Sequence, residues 1–159
     1  MFGEWTLWKN RPRVKVAPHA AGVYLLAYFS PNAPSTAPIA SQLSREVIYS
    51  GDSKDLSRRP LRGRHHRVRK RFLELFGEGA ESNLYVSVAR LYARPEDLSS
   101  DAVLYACQRT HSVYIESRLA WEFARRHGQP AVMQVKDRAE NGPWVMQEAA
   151  RLKFSRPLL

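Results

Sequence analysis

Apolar and polar positions alternate along this chain in blocks short enough to read as separate elements. Residues 22–29 (GVYLLAYF) form a continuous apolar run rich in β-formers, which predicts a buried strand. Residues 46–50 (EVIYS) predict a second strand ending at Gly51. In 83–91 (NLYVSVARL), Leu84, Val86 and Val88 alternate with Tyr85, Ser87 and Ala89, the period of two expected of a third. Helical spacing appears in two places. Val68, Phe72, Leu75 and Phe76 make one stripe, predicting a helix over about 64–76 that Gly77 and Gly79 end. Ile115, Leu119 and Phe123 make another in 111–127, the second part of a helical region opened at 95–98 and closed by Gly128.

The rest is punctuation and flanks. Residues 1–20 read as an arm or edge strand, with Trp5, Leu7 and Trp8 as packing residues. Residues 30–45 hold Pro31, Pro34 and Pro38 and read as a long loop. Asp52 or Ser53 reads as a helix N-cap, with a break from Pro60 to Gly63. Residues 130–135 read as a loop or short strand, and 144–154 as a last helix. The expected order is β–β–α–β–α–α: an α+β fold with a small central sheet of about three strands flanked by helices. At 159 residues, a single domain over 1–159 is expected.

Composition narrows the class. An apolar content of 44% supports a globular core. The single Cys107 leaves no internal disulfide and no Cys-rich zinc site. The longest apolar run is far short of the ~20 residues of a membrane span, and no signal-peptide h-region is visible. A cytoplasmic protein with no membrane partner is the expectation, nucleoid association included.

Charge changes the picture more. Lys and Arg total 25 against 15 Asp and Glu, a net +10, and 19 of the 25 are Arg. Such an excess favours a polyanion, and the Arg fork matches phosphate oxygens. An Arg-rich proteome is the bland alternative. Between Arg58 and Arg71, eight of fourteen residues are Lys or Arg and none is acidic. Like charges this dense need a counter-charge. Lys54, Arg58, Arg62, Arg64, His66, Arg67, Arg69, Lys70 and Arg71 are therefore the candidate nucleic-acid contacts, with DNA ranked ahead of RNA.

Within this background, Tyr24 (in GVY) and Tyr49 (in YSG) fall on neighbouring predicted strands. Ser53, Leu56 and Arg59 follow in YSGDSKDLSRR, then His65, and later Glu116 in the helix YIESRLAWEF. The set resembles the GIY-YIG nuclease family, in a restriction-enzyme-like form with a long insertion between its two motifs. The resemblance covers about 20–134. It implies a GIY-YIG-like fold and a metal-dependent DNA endonuclease. Tyr24 would be general base or water-positioner, with Tyr49 beside it at the phosphate. Arg59 would pair with the scissile phosphate, His65 would orient water or protonate the leaving oxygen, and Glu116 would hold Mg2+ or Mn2+. A tyrosine base needs its pKa lowered, by Arg59, the metal or Lys54.

The chain departs from the family pattern in several places. Ser50 replaces an aliphatic residue, Gly63 stands in the usual His position so that His65 or His66 must serve, and Met133 or Gln134 occupies the place of an Asn. Asp52 puts a carboxylate beside the phosphate site. Glu122 lies roughly 240° round the helix from Glu116, so the two do not share one ion easily. His19, His111 and His127 lack ligand spacing and read as structural or surface residues, and Cys107 as helix packing. The alternative reading is a non-catalytic nucleic-acid-binding module of the same fold. A third is a basic structural protein of a ribonucleoprotein. A homodimer or a partner protein would supply target choice.

Overall fold

The computed structural model describes residues 2–17, 20–30, 43–63, 65–90 and 101–134; over 101–112 and at 114 it describes the helix backbone alone. Four strands form one antiparallel sheet: β1 (Thr6–Leu7), β2 (Gly22–Tyr28), β3 (Val47–Ser53) and β4 (Leu84–Arg90), in the order β1-β4-β2-β3. The expected count was three. The additional strand is the short β1, which pairs Thr6 with Val86 and Leu7 with Tyr85 and so covers one edge of β4. Two α-helices complete the described elements, α1 (His66–Phe76) and α2 (Asp101–His127), with short 3-10 helices at Trp8–Arg13 and Ala80–Asn83. No helix among the described residues is long and apolar enough to cross a membrane.

The period of two sorts the strand side chains into two cores. Val23, Leu25 and Ala27 of β2 join Val47, Ala89 and the α2 stripe Ile115, Leu119 and Phe123 on one face. Tyr24 and Leu26 join Leu84, Val86, Trp8, Leu56 and Phe72 of α1 on the other. An irregularity in the β2–β3 ladder matters here. Leu26 faces Tyr49 but Ala27 faces Val47, so Ile48 is an extra residue on β3. A bulge shifts every following side chain by one position. It brings Tyr49 and Gly51 onto the face of Tyr24, and Ser50 and Asp52 onto the α2 face.

The structure revises several expected boundaries. β3 runs to Ser53 rather than ending at Gly51, so Asp52 and Ser53 are strand residues, not helix caps. Residues 54–63 form turns with no helix, because Asp55 organises the chain locally. Its Oδ1 accepts from Ser57 N–H (2.9 Å), Ser57 Oγ–H (2.5 Å) and Arg58 N–H (3.3 Å). An Asp side chain that satisfies following amides in this way competes with helix formation, and the peptide before Pro60 is cis. On α1 the buried stripe is Val68, Phe72, Leu73 and Phe76; Leu75, expected inside, is 41% exposed. Gly77 ends α1 with φ 83° and an N–H to the Leu73 carbonyl (2.9 Å). Residues 101–127 are one continuous helix. The Pro-rich stretch at 31–42, the helix opening at 95–98 and the C-terminal helix at 144–154 lie outside the described residues.

Residues 131–134 close the outer edge of β3. Met133 N–H donates to the Ile48 carbonyl (2.8 Å). Gln134 Oε1 accepts from both Ser50 N–H and Ser50 Oγ–H (2.9 Å each). The polar Ser50 and Gln134 thus form one interaction, which satisfies an otherwise open strand edge.

Candidate functional site

Tyr24 sits at the centre of β2 and is fully buried. Its neighbour across the ladder is Gly51. A Cβ at 51 would stand 2.5 Å from both Cζ and Oη of Tyr24. The phenol therefore lies directly over a backbone position that only glycine leaves clear. Tyr49, one pair along, has its ring centroid 6.0 Å away, and the His65 ring stands edge-on at 5.3 Å. Arg59 Nε–H donates to His65 Nε2 at 3.3 Å. Four of the five sequence-derived catalytic candidates, Tyr24, Tyr49, Arg59 and His65, thus occupy one place on the α1 side of the sheet.

Arg59 arrives there from a turn, not a helix. Leu56 N–H is tied to the Ala20 carbonyl (2.8 Å), and Arg59 N–H to the Asp55 carbonyl (2.9 Å). The chain then doubles back so tightly that a Cβ at Gly63 would meet the Arg58 carbonyl at 2.5 Å. That close approach explains why a glycine holds the position where a His was to be sought. The doubling back delivers His65, immediately before α1, to the Tyr24 ring. His66 instead begins α1 and is exposed.

Electrostatics bears on two expected roles. Burial pushes the Tyr24 phenol well above its ordinary pKa, and Tyr49 adds to this; Arg59 opposes the rise without reversing it. The site as it stands raises the pKa that a tyrosine base would need lowered, so Tyr24 is a protonated phenol. Its Oη is enclosed and makes no hydrogen bond of good geometry, though Arg59 and Tyr49 are near enough to act on its charge. His65 is pushed down to about 4 by burial, then by Arg59 and Arg11. It is neutral at neutral pH, so it carries no acidic imidazolium proton to give a leaving oxygen. Burial works against the charge on Arg59, but Tyr24, Tyr49 and Asp52 outweigh it and raise its pKa.

An open cleft of about 460 Å3 adjoins the cluster, lined by Asp52, Ser53, Lys54, Asp55, Arg58 and Arg59. Lys54, Arg58 and Arg62 are exposed around it, while Arg64 lies outside the described residues. On α1, Arg67, Lys70 and Arg71 are exposed. Lys70 stands 3.9 Å from Glu74, and Arg69 is held by both oxygens of Glu81 (2.6 and 3.1 Å). Arg69 therefore already has a carboxylate where a phosphate contact was expected.

Glu116 is the fifth candidate. It is 3% exposed on α2, one residue round from Ile115, whose stripe packs on the face opposite Tyr24. The structure brings the Tyr–Tyr–Arg–His set together on one face and reaches Glu116 from the other layer. Among the described residues, no group of three or more His, Cys, Asp and Glu side chains stands together. Magnesium binds through few protein carboxylates and keeps several waters, so Glu116, at 3% exposed, would hold it only with the packing around the carboxylate opened. Glu122 is engaged elsewhere, with Arg118 (3.8 Å) and Arg125 (2.9 Å). His127 Nε2 donates to the Leu43 carbonyl (2.6 Å). His19 and the side chains of Cys107 and His111 lie outside the described residues.

Sequence reasoning missed two residues of the site. Trp8 packs its ring 6.1 Å from His65, and Arg11 lies 3.9 Å over Trp8 with Nη1 donating to the Trp8 carbonyl (2.9 Å). The available signal was the basic run KNRPRVK at 9–15, which holds four cations and no acid. No protein-family model matches the chain, and neither a curated protein nor a solved structure matches it.

Proposed function

We propose that the chain is a GIY-YIG-type endonuclease that hydrolyses phosphodiester bonds in DNA with Mg2+ or Mn2+. The observation that carries this reading is the convergence of Tyr24, Tyr49, Arg59 and His65 over Gly51, beside an Arg-lined cleft. Arg59 is the residue placed to take a phosphate. Its guanidinium reaches the cleft, carries a secure charge, and is oriented by a neutral His65 that accepts from Nε. A preorganised cation stabilises charge growing on phosphoryl oxygens without reorganising. Tyr24, protonated, would donate to a phosphate oxygen or position water, not remove a proton. Glu116 would hold the ion, which would supply charge neutralisation and a more acidic bound water.

One observation favours a second reading. Tyr24 is fully covered, so no substrate touches it as the site stands. A non-catalytic nucleic-acid-binding module would keep the same residues as a packed core under a basic surface.

Plasmid cleavage by the purified chain with Mg2+ or Mn2+, abolished by EDTA, decides between the two. Arg59→Ala should lower the single-turnover rate by about 10²-fold or more, some 3 kcal/mol of barrier. Arg58→Ala removes the same charge from the same cleft and should leave the saturated rate near wild type. Equal losses, or no cleavage by the wild type, would establish the binding module instead.

A further inference from the structure

We infer that the amino-terminal arm, residues 9–15, extends the nucleic-acid surface of α1 past the Arg59–His65 pair, and that Lys9, Arg13 and Lys15 contact the phosphodiester backbone. This rests on the reading of the chain as a nucleic-acid-binding protein. The course of the arm carries the argument. It leaves β1 at one edge of the sheet, and Trp8 and Val16 pack into the core that also holds Tyr24 and Phe72. Arg11, between them, feels the charges of Glu81 and Arg69, and its own charge reaches His65. Its far end returns to the site, where the Ala20 carbonyl accepts from Leu56 N–H, three residues before Arg59. The arm thus runs beside the Tyr24–His65–Arg59 cluster, close enough to α1 for Arg11 to feel Arg69.

Its charges divide by role. Arg11 is consumed internally, stacked on Trp8 and bonded to that residue's carbonyl. Lys9, Arg13 and Lys15 are exposed, and residues 5–17 contain no acid to pair with them. On the neighbouring α1, Arg67, Lys70 and Arg71 are exposed. Exposed cations on two elements beside one Arg–His pair match a polyanion that runs past the site with charge beyond the contacted phosphate. A compact anion would need only the central Arg59. Lys9 and Arg13 lie on the Trp8–Arg13 helix and Lys15 just beyond it, and phosphate contacts of this kind carry affinity without base specificity.

The test is the salt dependence of binding, measured by fluorescence anisotropy on a short labelled DNA duplex and an RNA duplex of the same sequence. The triple variant Lys9→Ala, Arg13→Ala, Lys15→Ala should flatten the slope of log K against log salt by about 2 to 3 on the duplex it binds. A charge-matched variant, Arg45→Ala, Arg125→Ala, Arg126→Ala, lies on exposed positions outside the cluster and should leave the slope near wild type. Thermal unfolding of both variants confirms that they fold. An arm variant that keeps the wild-type slope, or a control that flattens it equally, overturns the inference while leaving nucleic-acid binding in place. A wild type that binds neither duplex removes both this inference and the function it rests on.

Discussion

The two faces of the sheet are built from the same strands and do different work. On the α2 face, β2 contributes Val23, Leu25 and Ala27, and α2 answers with Ile115, Leu119 and Phe123. Two serines buried there are satisfied across the fold: Ser50 donates to Gln134, and Ser87 donates to the Gly3 carbonyl (2.6 Å). On the α1 face, β2 contributes Tyr24, and the layer above it is His65, Arg59, Trp8 and Phe72. There the Tyr24 hydroxyl is enclosed without a hydrogen bond, and a neutral histidine is held beside two arginines. Burying a polar group without its partners costs roughly 1–3 kcal/mol. That cost is not confined to Tyr24, since Ser44 Oγ is also enclosed without a partner; what sets the α1 face apart is a tyrosine and a histidine held beside Arg59.

The comparison breaks first at Leu25. This side chain is fully enclosed on the α2 face. Leu25→Ala leaves a cavity and should destabilise the fold by about 2–5 kcal/mol, read by denaturant unfolding. Cleavage by the folded fraction and the salt slope of DNA binding should not change. If Leu25→Ala lowers the saturated cleavage rate as far as Arg59→Ala does, the faces are not separable.

His65 gives the next largest effect, on pH. Its pKa is about 6.5 in an unfolded chain and about 4 in the fold. Between these values the unfolded state binds the proton and the folded state does not, so stability rises with pH through this window and falls on acidification. From pH 6.5 down to pH 5, before most carboxylates titrate, the loss should be of order 2 kcal/mol at about 1.36 kcal/mol per pH unit. His65→Gln should remove this part of the pH dependence. Parallel pH profiles for wild type and variant would show that burial, with Arg59 and Arg11, does not keep this ring neutral.

Much of this contrast was legible in the sequence, and the reasons are local. Tyr24, Tyr49, Gly51 and Arg59 stand at fixed spacings, and strand alternation assigns Tyr24 a side once β2 is recognised. The bulge at Ile48 carried no signal, because a lone extra residue between two β-formers leaves the apolar pattern intact. It nevertheless decides which face Tyr49 occupies. The turn at 54–63 was misread as a helix start because Asp and Ser serve helix caps and Asx turns alike. Only the closing of the chain on Ala20 and on the Arg58 carbonyl selects the turn. Position 75 misled in the opposite direction. Leu73 and Leu75 both fit an apolar stripe, and tertiary packing on the sheet selects Leu73. The contribution of Trp8 and Arg11 depends on β1 pairing with β4, a contact between residues about eighty positions apart that no local pattern reports.

The smallest stability change offers the sharpest test, at Tyr24→Phe. The phenol ring fills its space among Tyr49, His65 and Leu26, and phenylalanine fills it equally. Its hydroxyl makes no hydrogen bond of good geometry, so deleting it removes a desolvated group without stranding a partner. Removing such an oxygen should leave stability within about 1 kcal/mol of wild type or raise it. A Tyr kept only for packing predicts nothing further, and cleavage and binding would both survive. A phenol that donates to the scissile phosphate or positions water predicts a different pair of results. DNA affinity, carried by the cations around the cleft, stays put, while the single-turnover rate falls by 10²-fold or more. Stable, DNA-binding and inactive Tyr24→Phe would assign the hydroxyl to the reaction. A fully active variant would make the α1 face a second packing core with arginines on its rim, and the contrast between the faces would lose its functional meaning.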